Sequence, residues 1–385
     1  MTPKERLLTA LKMGKPDHLP ATTHHVFDPW LAEYMDGATR DEFFEQLGLD
    51  AIRWINPIIP DQSRGEYFAD DSTPPDFLEI KKIISSVWNI TYESKANEKG
   101  LLKNYTISTP GGSLHALLQE ADSTTWVLEP LIKEKNDIDI LQRYQSQPLC
   151  DVAKVNQEYD DFGQRGIIRG FIIPSELYGQ PGCWQDFCCL RGTEQAIYDT
   201  FDDPEWVHHC LQIILERKLR FARSLKGAKY DLIELGGGDA SNTVISPAMF
   251  REFVAPYDAQ IIETCHQAGQ RIAYHTCGGM MLILDDIVAM KPDAMETFTP
   301  RDMGGDTDLA EAKKRVGDKV CMIGGFDQGH YLSGVSEEET RKAVQKCFEE
   351  AGEGGGYILC PSDHFFDADP KLLKVFADEA RRCIY

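Results

Sequence analysis

The chain has 385 residues, 42% of them hydrophobic, and a formal net charge of −22 at neutral pH. That length can bury the core of one large α/β barrel or of two modest domains, and so acidic a balance argues against a nucleic-acid partner, since nothing would neutralise phosphates in a concentrated way. No apolar run approaches the roughly 18 to 20 residues of a membrane span, and Met1–Arg6 lacks the apolar stretch of a signal peptide, so a cytoplasmic protein without membrane contact is expected.

In chain order, Thr2 reads as a helix N-cap with Pro3 in the first turn and Glu5 completing a capping box, ahead of Leu7, Leu8 and Leu11 on one face. Strand character then recurs at Leu19–Phe27, Asp50–Asn56, Gly166–Pro174, Asp231–Gly236, Arg271–Cys277, Ala294–Phe298, Lys319–Gly325 and Tyr357–Ser362. Helical periodicity follows most of these segments, for example Ala248–Gly269 behind Ser246-Pro247, and a helix opened by Ser336 and three acidic residues. Strand and helix alternation predicts a parallel sheet. Without a Gly-x-Gly-x-x-Gly turn after the first strand, a closed (β/α)₈ TIM barrel over residues 1–385 is preferred to an open nucleotide-binding sheet. The stretch 85–128 differs: Ser86–Tyr92, Leu102–Ser108 and Thr124–Leu128 alternate like antiparallel strands around Gly111-Gly112, which predicts a β insertion at the barrel mouth.

His275 and Cys277 lie two apart at the end of the fifth predicted strand, where period-two alternation turns both to one face, and Cys360 ends the eighth. An imidazole and two thiols are ligand types suited to Zn²⁺, and three ligands with one open position mark a catalytic rather than a structural site. The alternative is a hydrogen-bonded structural pair, because cysteine is most often a small buried hydrophobe. Cys183, Cys188, Cys189, Cys210, Cys265, Cys321 and Cys347 are read that way, and the 11 scattered cysteines fit reduced thiols.

Glu234 and Glu296 sit within otherwise apolar strands and need a cation, a metal or strong donors, unless they face outwards or form an internal ion pair. Strand C-termini form the active-site face of such a barrel. His24 and His25, Asp239 and Asn242, Asp327 and His330, and Asp363 with His364 would make its polar rim. Tyr178, Trp184 and Phe187 would make either an aromatic wall for a ring substrate or ordinary packing.

Pro3-Lys4-Glu5-Arg6, the segment Ile245–Tyr257, His275-Thr276-Cys277-Gly278, Ile323–Asp327 and Gly355–Cys360 together resemble the uroporphyrinogen decarboxylase superfamily, and within it the zinc-dependent methyltransferase branch. The resemblance implies a (β/α)₈ barrel and zinc-ligand status for His275, Cys277 and Cys360. By similarity to cobalamin-independent methionine synthase, Glu296 is the expected fourth ligand, with Glu234 competing. The decarboxylases carry an arginine-rich segment near the N-terminus, whereas Asp17–Glu33 here has no arginine, which disfavours a substrate bearing eight carboxylates.

Two kinds of methyl transfer remain under this resemblance. Zinc either activates a thiol acceptor for a methylated corrinoid, or polarises a methoxylated aromatic small-molecule donor while a Co(I) corrinoid takes the methyl group. The branch acting on methoxylated aromatics is the nearer likeness, with His330 or Asp363 supplying a proton to the departing oxygen and His24, His25, Trp184, Asp239, Asn242 and Asp327 contacting substrate. No Asp-x-His-x-x-Gly corrinoid motif occurs, so a separate corrinoid protein is the expected partner, and a homodimer is the expected assembly if the chain self-associates. The rival readings are a metal-free decarboxylase-like lyase and a non-catalytic binding protein.

Overall fold

The computed structural model describes residues 1–69, 81–121 and 124–385. Seven strands form one parallel sheet: β1 (Ala51–Trp54), β2 (Gly166–Phe171), β3 (Leu232–Gly236), β4 (Ile272–His275), β5 (Ala294–Thr297), β6 (Cys321–Phe326) and β7 (Tyr357–Pro361). They lie side by side in chain order. This is a TIM-barrel-like α/β fold, with helices such as Pro204–Ser224 and Glu337–Ala351 turning their apolar faces to the sheet. Among the described residues no helix is long and apolar enough to cross a membrane.

The first predicted strand, Leu19–Phe27, is reduced to a single bridge, Ala21 to Leu359 of β7. Pro20 has no N–H to give a ladder. Its carbonyl still accepts from Leu359 at 2.9 Å, and the Ala21 carbonyl accepts from Asp50, the residue before β1, at 2.8 Å. This short segment therefore touches both edges of the seven-stranded sheet.

The opening helix, Pro3–Leu11, has the expected capping box between Thr2 and Glu5. The rest of the Pro3–Arg6 motif is anchoring. Lys4 Nζ lies 3.1 Å from Asp231, just before β3, and 3.6 Å above the Tyr159 ring. Arg6 reaches Asp50 at 2.5 Å and Asp17 at 2.7 Å. Asp231 also accepts the Ile168 N–H of β2, and Asp50 accepts that of Ala21. These contacts pin the helix to the N-terminal ends of the strands, away from the face that carries chemistry in such folds.

The predicted helix after Ser246-Pro247 forms with an interruption. Ser246 caps Pro247–Met249, a π-helical turn occupies Phe250–Val254, and the α-helix resumes at Ala255–Gln267. Pro256 explains the wider turn, since it lacks the N–H that a regular α-helix would use there.

Four antiparallel strands follow in the region predicted as an insertion: Asn89–Asn97, Gly100–Thr109, Gly112–Glu120 and Thr125–Glu129. Residues 122 and 123 of that region lie outside the described residues. The sequence reading missed the third strand, although Leu114, Ala116 and Leu118 alternate inwards on it. Ile107, Ala116, Leu118 and Val127 close on Glu176, Leu177 and Tyr178 of the loop that follows β2.

Replacing Lys4 with Met would leave Asp231 buried without its cation, and should cost about 3 kcal/mol of stability, read as a lower urea midpoint at unchanged slope. Glu176 supplies a pH test. Its burial, opposed by Arg217, pushes the carboxyl up to about 8, and it accepts from Trp88 Nε1 at 3.1 Å. A raised value means the neutral form stabilises the fold, fully below the ordinary 4.5, with the contribution lost as pH rises through about 8. Glu176→Gln keeps the acceptor, so its Tm should fall less than that of the wild type between about pH 6 and about pH 9.

Candidate metal centre

Strand register builds the site. His275 at the end of β4 pairs with Glu296 of β5 on one side and Gly236 of β3 on the other, and Phe171 of β2 is level with Glu234 of β3. A side chain at Gly236, where φ is +110°, would run into the His275 carbonyl. Glycine there lets the two strand ends close up.

Four groups converge: among the described residues, one ligand atom each from His24, Glu234, His275 and Glu296 lie within 4.8 Å of one another. Cys277 joins through His275, whose Nε2 is 2.9 Å from the Cys277 Sγ. The loop carrying Cys277 is held tightly: Gly278 N–H donates to Thr299 Oγ1, Gly279 N–H to Thr243 Oγ1, and the Met280 and Met281 N–H groups to Asp306. Asn242 braces the same loop, its N–H donating to the Gly279 carbonyl at 2.7 Å. Cys360 on β7 is buried and is not one of the four converging groups.

Arg169 of β2 was not anticipated. It is 1% exposed, and its guanidinium grips Glu296 through two hydrogen bonds of 2.8 and 3.0 Å, with a longer 3.4 Å contact to Glu234. The Trp54 ring lies 4.2 Å beneath it. Arg169 sits in the apolar run Gly166–Phe171, and an ionisable residue inside an apolar strand is the signal that flagged Glu234 and Glu296. Both glutamates thus meet the internal ion pair that was one of the two readings of their sequence.

Electrostatics separate the groups. Burial alone would raise Glu296, but Arg169 overrides it and holds the carboxyl well below the usual range. Burial raises Glu234, opposed by His275. It also lowers His275, yet the Cys277 sulfur and the two glutamates win and hold the imidazole well above its ordinary value. Burial pushes His24 down to about 3, so that ring is neutral, and its Nε2 is buried without a hydrogen-bond partner. Burial and the Glu296 charge raise the Cys360 thiol well above its ordinary value.

The other predicted residues divide into two sets. His24, His25 and His364 form an imidazole cluster beside the centre, with ring centroids 5.5 Å apart for His24 and His275 and 4.9 Å for His25 and His364. Asp363 adjoins it and accepts the His364 N–H at 2.7 Å. Trp184, by contrast, is fully buried against Phe187 and Phe253 and donates to the Asp239 carbonyl, so it takes the packing role and not that of a substrate wall. The Asp239 carboxylate is tied down by Gln185 and Thr193. Asp327 caps its own turn through the Gly329 N–H. His330 lines a cavity of about 280 Å³ with Lys346 and Glu350 of an outer helix. Phe27 and Phe366, not singled out in the sequence, stack at 5.5 Å beside His364. A cleft of about 600 Å³ reaches His24 and Trp54, and its arginines, Arg40 and Arg53, are ion-paired to Asp28 and Asp41.

Residues 181–383, more than half of the chain, match the Uroporphyrinogen decarboxylase (URO-D) family. A uroporphyrinogen decarboxylase from Thioalkalivibrio sulfidiphilus is 26% identical over 209 residues, covering 52% of this chain and 54% of the relative. One from Hydrogenovibrio crunogenus is 24% identical over 164 residues, covering 41% and 43%. The chain therefore spans about half the length of these curated relatives. In structure it is similar to a methyltransferase from Methanosarcina mazei, with a TM-score of 0.62 and 15% identity over 99% of each chain, a likeness of fold. Glu234, His275, Cys277, Glu296 and Cys360 all fall within the matched segment, and on that match the chain belongs to the uroporphyrinogen decarboxylase family.

Proposed function

We propose that this chain is a zinc-dependent methyltransferase that moves a methyl group from a methoxylated, aromatic small molecule to the Co(I) corrinoid of a separate protein. The observation that carries the reading is the His275 Nε2 to Cys277 Sγ contact of 2.9 Å on a fixed loop, one nitrogen and one sulfur presented to the same point. Cys360, buried on β7, is the proposed third ligand, and the buried unpartnered Nε2 of His24 beside the cluster is a further donor, so the residues present fit zinc. Zinc there would supply Lewis-acid polarisation of the oxygen that leaves the methyl carbon.

The chain's own groups do the rest. Thr299, Thr243 and Asp306 keep Cys277 from swinging away when a ligand arrives. The departing oxygen must gain a proton. Asp363, next to the imidazole cluster, would supply it in this reading, since His330 opens into the outer cavity. Phe27 and Phe366, in place of Trp184, offer the aromatic surface for a ring. The cleft at His24 and Trp54 would admit the donor, and the antiparallel sheet beyond β2 would flank the mouth.

The relatives' names favour a second reading, decarboxylation of a porphyrinogen. Against it, Arg169 is spent on Glu296, and Arg40 and Arg53 on Asp28 and Asp41, so no free arginine in this set would meet substrate carboxylates. A thiol acceptor in place of the methoxy donor would use the same ligands.

Protein purified without oxygen should carry one zinc per chain by mass spectrometry. Cys277→Ala should lose it, and with it at least about 100-fold of the Co(I)-corrinoid-dependent demethylation of methoxylated aromatics. Full zinc and full turnover in Cys360→Ala would remove that residue from the site. Release of CO₂ from a porphyrinogen without corrinoid would establish the decarboxylase reading instead.

A further inference from the structure

The two ring nitrogens of His275 face different chemistry. On the Nε2 side is the Cys277 sulfur at 2.9 Å. On the Nδ1 side are Glu296 at 3.2 Å and Glu234 at 3.9 Å. An ion that takes Cys277 and His275 together must use Nε2, and then the imidazole stands between it and the Glu296 contact. Glu296, moreover, is engaged at both oxygens: Oε1 accepts from Arg169 and from His275 Nδ1, and Oε2 accepts from Arg169. A cation placed among the carboxylates would meet a guanidinium that is already there, fully buried and stacked on Trp54.

Resting on the zinc reading and deepening it, we infer that Glu296 is not a metal ligand but the positioning residue for His275, locked in that task by Arg169, so that the metal sits on the Nε2 side with Cys277. A histidine that ligates through one nitrogen commonly donates its other N–H to a carboxylate, which fixes the ring and its tautomer. Here the carboxylate lies one strand away, at the register position opposite the histidine. The guanidinium fork holds it by both oxygens, leaving it no rotation towards the metal. Arg169 is a positioning residue one step further out. Glu234, with longer contacts of 3.4 Å to Arg169 and 3.9 Å to His275 Nδ1, is not gripped by the fork in this way.

The test uses the full chain loaded with ¹¹³Cd and labelled with ¹⁵N in its histidines. Coupling from cadmium to His275 Nε2, with Nδ1 still protonated, is the expected result. Glu296→Ala should still bind one ion per chain, about 10- to 100-fold more weakly, and Glu296→Gln, which keeps an acceptor for Nδ1, should fall between it and wild type. Arg169→Lys keeps a cation but not the fork and should weaken binding in the same direction. Melting of the metal-free variants, measured alongside, separates this from loss of fold. The thiolate-to-metal charge-transfer band of the Co(II)-loaded protein should be unchanged in Glu296→Gln, since the loop that holds Cys277 is not touched. Coupling to Nδ1, or loss of the ion in Glu296→Gln with retention in Cys277→Ala, would overturn the inference while leaving a metal site standing. A wild-type chain that takes up no metal would overturn the zinc reading and this inference together.

Discussion

The buried pair between Arg169 and Glu296 is the interaction on which the interior of the barrel depends. Each partner is almost fully removed from water, 1% and 0% exposed, and an isolated ion so placed would lose several kcal/mol of hydration. Two parallel hydrogen bonds from a planar fork, with a tryptophan face below, recover enough to keep both groups charged. Everything near the pair adjusts to it. Glu296 is held ionised, Glu234 is left with the weaker contact and a raised proton affinity, and the imidazole of His275 is caught between the carboxylates and the Cys277 sulfur.

The scaffold makes that pair possible by setting it and its neighbours on four consecutive parallel strands. Arg169 is on β2, Glu234 on β3, His275 on β4 and Glu296 on β5, so the parallel ladder alone sets their heights. The far end of the barrel is fastened separately, by Lys4 to Asp231 and Arg6 to Asp50. Anchoring and chemistry are thus divided between opposite ends of the same strands, which lets the mouth carry unpaired polar atoms such as His24 Nε2 without loosening the fold.

Much of this was legible in the sequence because it follows from short-range rules. His275 and Cys277 meet as their spacing suggests, although the strand stops at His275 and Cys277 stands on the loop just past it, and Thr2 and Ser336 cap helices as their spacing requires. What escaped the sequence is where two prolines interrupt an element and which groups meet across strands. Pro20 broke the ladder of the first strand, Pro256 widened a helix that periodicity reads as continuous, and Trp184 turned into the core and not to the mouth. Glu234 and Glu296 could be singled out as carboxylates in apolar strands. Their partner, 65 and 127 residues earlier in the chain, could not be assigned to them before the register was known.

The matched family segment begins at residue 181, and so it holds Cys277, Cys360, His275, Glu234 and Glu296, but not His24, Trp54 or Arg169. The part of the chain outside that match therefore supplies the cation that fixes Glu296, the ring beneath it and the neutral imidazole at the cleft. A barrel whose interior arginine is consumed by its own glutamate has little left to hold a polycarboxylate, while the same arginine, by immobilising Glu296, leaves His275 oriented towards a sulfur. One buried ion pair thus fixes which carboxylate stays ionised and which way the imidazole beside it faces, with the strand order unchanged.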